Sequence, residues 1–218
     1  HIIYIMSLSE KIDDFYNLFL QNEDTELEVR FGTKGEYITK NKLDTTINKL
    51  KSLDYRLIRE EYTLKIQSEF IDSNTGKKKI SSVRVEITGL SNIQSYCKTN
   101  KLLDDRGRLL ENIKFTKKGP LFIEDGENTK IQPYDVDEFN FRISLQKDFN
   151  VKQNDRIVKG ILSNWESSKK VFRYMKRTTF RHDLYPFNID LSIVKMSNKN
   201  SRHFMIPTYT LLESNVLN

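Results

Sequence analysis

Glu26 and Glu28 stand two residues apart in the stretch ELEVRFG, residues 26–32. Alternate residues of an extended strand share a face. Glu26, Glu28 and Arg30 therefore lie on one side, and Leu27, Val29 and Phe31 on the other. Like charges about 7 Å apart, as the strand rise places them, repel unless a cation lies between them. Carboxylates are hard oxygen donors suited to Mg2+ or Mn2+. A solvated surface strand could carry the same pair with no ion, so the pair gains meaning only from what accompanies it.

Other stretches carry signed faces of the same kind. Arg84 and Glu86 share one face, and Lys114, Thr116 and Lys118 another. Arg142, Ser144, Gln146 and Asp148 form a further face. Arg173, Arg177, Thr179 and Arg181 form the next, interrupted by Met175. Apolar residues alternate with them: Ile113 and Phe115; Phe141, Ile143 and Leu145; Phe172, Tyr174 and Phe180. One sheet with a buried face and a wet face accounts for this alternation. A closed barrel with charges lining its lumen accounts for it too. Acids and bases together on one face suit a divalent metal and a polyphosphate. Hydrolysis of a phosphoanhydride needs positioning and charge neutralisation more than covalent help. Carboxylates hold the ion, Arg and Lys neutralise phosphoryl oxygens, and a further carboxylate orients the water.

These residues need strands to present them. A helix is expected over 7–21, capped by Ser7 or Ser9, with Ile12, Phe15, Leu18 and Phe19 as its apolar stripe. A second helical spacing runs through Leu43, Ile47 and Leu50. EYTLKIQSEFID and KKISSVRVEIT flank the turn signal SNTGK and read as a hairpin. Further strands are expected in ENIKFTKKGP, FNFRISLQKDF, KVFRYMKRTTFRH and FNIDLSIVKM. SNIQSYCKTNKLLD reads as a short helix or a loop, and EDGENTK as a turn. The expectation is one α+β domain over 7–218, dominated by antiparallel sheet, with residues 1–6 outside it and Met6 a candidate start.

Composition narrows the classes. The chain has 218 residues and a net charge of +6, which suits an anionic partner such as a nucleic acid or nucleotide. Thirteen Phe and ten Tyr supply a core and exclude a disordered chain. Cys97 is the single cysteine, and the histidines are His1, His182 and His203. No internal disulfide and no Cys/His zinc cluster can form, and a reducing compartment is expected. No apolar run reaches membrane-spanning length, so no membrane partner is expected.

ELEVRFG resembles the first metal-binding strand of the triphosphate tunnel metalloenzymes. More closely, it resembles that of the RNA triphosphatases of fungal and large DNA virus mRNA-capping enzymes. FRISLQKD, FRYMKRTTF and NIDLSIVK resemble three further strands of that family, in the same order, so the matches span Glu26 to Lys195. The resemblance implies a closed antiparallel eight-stranded β-barrel with helices packed outside. It implies hydrolysis of the γ-phosphate of 5′-triphosphate RNA to a 5′-diphosphate end, with Mn2+ or Mg2+ as cofactor and NTP as a further substrate. Glu26 and Glu28 become metal ligands. Arg84, Arg142, Arg173 and Arg177 fall where phosphate-binding arginines are expected, with Lys117 or Lys118 beside them. Asp148 falls at the carboxylate that orients water, where the family usually has Glu. Asp190 and Ser192 support the metal and phosphate shell. Met175 replaces a position that can be basic. Downstream guanylyltransferase and methyltransferase domains in the same polypeptide are implied, as is the cytoplasm of an infected cell or the virion.

One family feature is missing from the stretch given. A second strand of alternating glutamates is expected near the C-terminus; Glu213 alone does not supply it, and the strand is expected beyond Asn218. Two alternatives stand beside the RNA triphosphatase reading. One is a tunnel-fold hydrolase of NTP, inorganic triphosphate or thiamine triphosphate. The other is a basic, non-catalytic β-protein that binds nucleic acid. Against the latter, the aromatics alternate away from the charges, whereas nucleic-acid grooves set the two side by side.

Overall fold

The computed structural model describes residues 7–32, 38–71, 75–119, 121–123 and 129–197. In chain order the elements are α1 (Leu8–Gln21), β1 (Thr25–Phe31), α2 (Lys40–Ser52), β2 (Arg56–Ile71), β3 (Lys78–Ile80), β4 (Val83–Thr88), α3 (Leu90–Thr99), β5 (Ile113–Gly119), β6 (Phe122–Ile123), β7 (Thr129–Lys130), β8 (Tyr134–Val136), β9 (Phe141–Val151), α4 (Arg156–Ser163), β10 (Lys170–Arg181) and β11 (Asn188–Met196). Nine strands take part in antiparallel ladders, and β6 and β7 pair with each other. The α+β, antiparallel expectation holds. No described helix is long and apolar enough to cross a membrane.

The chain divides into two compact units, residues 1–39 with 118–149, and residues 40–117 with 150–218. In the first unit β1 lies along β9 from Thr25↔Lys147 to Phe31↔Phe141, and β8 pairs with β9 through Asp135↔Arg142. Helix α1 begins with a capping box: Ser7 Oγ accepts the Glu10 N–H, and Glu10 accepts the Ser7 N–H. Its Phe15 is buried with Leu121, Ile143 and Leu145, while Leu18, Phe19 and Leu27 pack around them. Ile12, expected in the same stripe, is exposed. A Cβ at Gly119 would press on the Phe149 ring, so glycine lets that ring pack close.

In the second unit the strand order is β5-β4-β2-β10-β11, with β3 on β2. Leu64, Ile66, Val83, Val85, Ile87, Phe115, Phe172 and Tyr174 form the apolar face. Ile93 and Tyr96 of α3 and Val158 and Ile161 of α4 belong to the same buried cluster. Sequence periodicity left α3 undecided between helix and loop; it is a helix, ended by Asn100 at φ 53°. Helix α4 was not foreseen, although Asp155 caps it through the Ile157 N–H and its apolar residues recur at helical spacing. The strand expected over 78–88 is broken at Ser81, which is buried and whose Oγ accepts the Val83 N–H.

The closed eight-stranded barrel is not drawn by the described ladders. Among the described residues β1 pairs only with β9 and β11 only with β10, whereas every strand of a closed barrel has two partners. Glu213 and the glutamate strand expected past Asn218 lie outside the described residues, as does most of the EDGENTK turn.

Candidate functional site

In the first unit, residues directly opposite on paired strands share a face. That face carries Glu26 opposite Gln146, Glu28 opposite Ser144 and Arg30 opposite Arg142. Glu26 is exposed, and Glu28 is half-buried with its Oε2 2.8 Å from Arg30 Nη2. Lys118 Nζ donates to Gln146 Oε1 at 2.5 Å, which puts it on this face, one residue from the carboxylate pair. Asp148 continues the face at the exposed end of β9. Arg142 has a carboxylate partner: its guanidinium forks onto Asp135, Nε to Oδ1 at 2.5 Å and Nη2 to Oδ2 at 2.7 Å. Register causes this, because β8 sets Asp135 directly opposite Arg142. The pair holds the guanidinium's pKa above its ordinary value and engages its Nε and Nη2 edge.

The polar face of the second unit reads in rows across its strands. One row is Lys114, Glu86, Lys65 and Arg173. Another is Glu61, Arg177 and Ser192; the next is Arg59, Thr179 and Asp190. Arg84 lies opposite Thr116. Six basic side chains face three carboxylates here, an excess that suits an anion. Lys117 falls on the other side: it lies opposite Val83, in the register of the apolar face, which leaves Lys118 as the better of the two expected lysines.

Glu86 is buried between Lys65 Nζ at 2.7 Å and Lys114 Nζ at 3.4 Å, and it accepts from Thr116 Oγ1 at 2.9 Å. Burial pushes its pKa up, but Lys65, Thr116 and Lys114 more than reverse this, and the carboxyl sits below its usual 4.5. Arg177 Nη1 lies 3.1 Å from Asp190 Oδ2, and the other Asp190 oxygen accepts from Thr179 Oγ1 at 2.7 Å. Asp190 thus holds the guanidinium by one edge. Arg177 Nε is buried with no partner among the described residues. A buried donor left unpaired is costly, so the position suits an arriving acceptor. Ser192 is exposed opposite Arg177, and Arg173 is exposed opposite Lys65.

Lys65 and Glu61 were missed as site residues. Their signal was present: both sit on the period-two face of EYTLKIQSEF with Thr63. Only the register shows that this face adjoins Arg173 and Arg177.

No family model matches the chain, and no curated protein matches it. Solved structures do. The crystal structure of the RNA triphosphatase domain of the trifunctional mimivirus mRNA capping enzyme superposes with a TM-score of 0.54 at 15% identity, covering 89% of this chain and 81% of that one. The monoclinic form of the mimivirus capping enzyme triphosphatase gives a TM-score of 0.54 at 14% identity, covering 95% and 84%. The chain has the fold of that triphosphatase domain. At this identity the likeness concerns the fold, and the chemistry rests on the side chains above.

Proposed function

We propose that this chain is a metal-dependent RNA 5′-triphosphatase, which removes the γ-phosphate of 5′-triphosphate RNA and leaves a 5′-diphosphate end for capping. The observation that carries this reading is Arg177. It is pinned by Asp190 on a face with excess positive charge, and its Nε is buried without an acceptor. A phosphoryl oxygen supplies that acceptor, and a planar fork suits phosphate better than a point charge.

Arg84, Arg173 and Arg177 neutralise the phosphate oxygens. Asp190 and Thr179 orient Arg177. Asp148, exposed and without an ion pair among the described residues, is the carboxylate that takes the proton of the attacking water. Glu26 and Glu28 offer hard oxygens on one strand face, which fits Mn2+ or Mg2+ in donor type. They fill only part of a six-oxygen shell, and no group of three metal-ligating side chains occurs among the described residues. When bound, such an ion supplies Lewis-acid stabilisation of phosphoryl charge.

Phosphate release from γ-labelled triphosphate RNA, with and without Mn2+ or Mg2+, tests the reading. Cation-dependent release with a 5′-diphosphate product is expected. RNA binding without turnover would instead identify a binding protein, and preference for inorganic triphosphate over RNA a small-substrate hydrolase.

A further inference from the structure

Beyond the row of Lys114, Glu86, Lys65 and Arg173, the polar face of β2 continues through Gln67 and Glu69 to Ile71. β3 lies along that end, with Ile80 opposite Glu69 and Lys78 opposite Ile71. Residues directly opposite share a face, so Lys78 stands on the face of Lys65 and Arg173. The run of β2 from Lys65 to Ile71 covers about 20 Å at the strand rise. On the other side of β2, the Glu69 N–H donates to the Lys169 carbonyl at 2.8 Å, which carries the alternation of β10 back from Arg173 to Lys169. Lys78 and Lys169 are exposed.

The two ends of this face differ in charge. Towards one end Arg177 pairs with Asp190, Arg59 with Glu61 and Arg56 with Asp183. Towards the β2–β3 hairpin, Arg84, Lys169 and Lys78 have no ion pair among the described residues, and Glu69 is the carboxylate they face. A 5′-triphosphate is the end of its RNA, so the rest of the strand leaves the phosphate row in one direction. Uncompensated positive charge draws a polyanion. Ile71 and Ile80 are half-exposed on the same face and give the bases apolar surface to cover.

We infer that single-stranded RNA leaves its 5′-triphosphate along the polar face of β2 towards the β2–β3 hairpin, where Lys78 and Lys169 hold backbone phosphates. This rests on the triphosphatase reading and adds to it the direction of the strand. It also adds a source of preference for RNA over a nucleoside triphosphate, which is too short to reach the hairpin from the phosphate row. Phosphate contacts carry no sequence information, so the path accepts any transcript.

The test uses the full chain and two substrates, GTP and a 5′-triphosphate oligoribonucleotide of about ten nucleotides, the length of an ordinary single-strand site. Lys78→Ala combined with Lys169→Ala is expected to raise KM for the oligonucleotide roughly tenfold, the scale of two exposed charge contacts. The slope of log KM against log salt should fall by about 0.7 for each lysine removed. Values of kcat, and both constants for GTP, stay unchanged. Lys78→Arg combined with Lys169→Arg keeps the wild-type KM. Arg181→Ala, at the far end of β10, leaves the oligonucleotide KM unchanged. An unchanged oligonucleotide KM in the double alanine variant overturns the path, as does an equal loss on GTP. A raised oligonucleotide KM in Arg181→Ala alone puts the strand at the other end of the face and also overturns it. If the wild type hydrolyses neither substrate, the triphosphatase reading has failed. The path is then judged by binding of the labelled oligonucleotide without divalent cation: a weakening of roughly tenfold in the double alanine variant supports it, and equal affinity overturns it.

Discussion

β1 and β10 carry opposite charges in different settings. β1 displays Glu26 and Glu28 on a thinly covered strand, where Val29 is 45% and Phe31 74% exposed, and its unit has a core of four buried hydrophobics. β10 displays Arg173 and Arg177 from a strand whose other residues are mostly buried, with Phe172 and Tyr174 in a core of fifteen. The acidic strand is free to serve a ligand because the fold asks little of its polar face. The basic strand serves the fold and the ligand together, since Arg177 pairs with Asp190 on the next strand and Lys65 pairs with Glu86 across its other neighbour. Substitutions should therefore separate activity from stability on β1 and couple them on β10.

The largest expected effect is on β1. Glu26→Ala or Glu28→Ala should lower cation-dependent hydrolysis by roughly 10²–10³-fold, the scale of removing one group that stabilises developing charge. Unfolding free energy should stay within about 0.5 kcal/mol, as for ordinary surface positions. Turnover and denaturant melts on the same samples check both halves; near-normal turnover in both variants removes the metal assignment.

Glu86→Gln should reverse that pattern. It strips Lys65 and Lys114 of a buried partner and should cost about 1.5–3 kcal/mol of stability, the range for a hydrogen bond to a charged group. The sign with pH follows from the lowered pKa. Glu86 contributes stability above its ordinary 4.5, and that contribution is lost as pH falls through the lower folded value. Melts of wild type and Glu86→Gln should converge in acid.

Arg177→Lys comes next, with about a tenfold loss in kcat/KM expected because the fork held by Asp190 becomes a point charge. Arg142→Lys should cost less, since Arg142 already spends its fork on Asp135. Equal losses in steady-state kinetics would show that the two arginines play one role.

The smallest effect belongs to Lys170. It is 1% exposed, lies 4.6 Å from the Trp165 ring centroid, and donates to the carbonyls of Trp165 and Ser168. Burial lowers its pKa to about 8 from the usual 10.5. The unfolded chain binds this proton more tightly, so stability should rise as pH goes from about 8 to 10.5. A melt series across that window should show the rise in wild type and not in Lys170→Met.

Faces were legible in the sequence because period-two alternation is local. Glu26 with Glu28, Arg84 with Glu86, and Arg173 with Arg177 each share a side as read. Partners across strands were not legible, because register depends on which strands meet. Asp135 opposite Arg142, and Lys65 between Glu86 and Arg173, emerge only from pairing. Helix α4 was hidden for another reason: at eight residues it is too short for its apolar spacing to stand out from the strands around it.

One double-variant cycle addresses the central claim, that Arg177 of β10, held by Asp190 of β11, acts in the hydrolysis. Single-turnover rates would be measured for Asp190→Asn, Arg177→Ala and the pair on 5′-triphosphate RNA with saturating Mn2+. Residues that act as a unit are strongly non-additive. The double variant is expected to be little slower than the slower single. Losses that multiply would mean that the two strands contribute independently, and would contradict the claim.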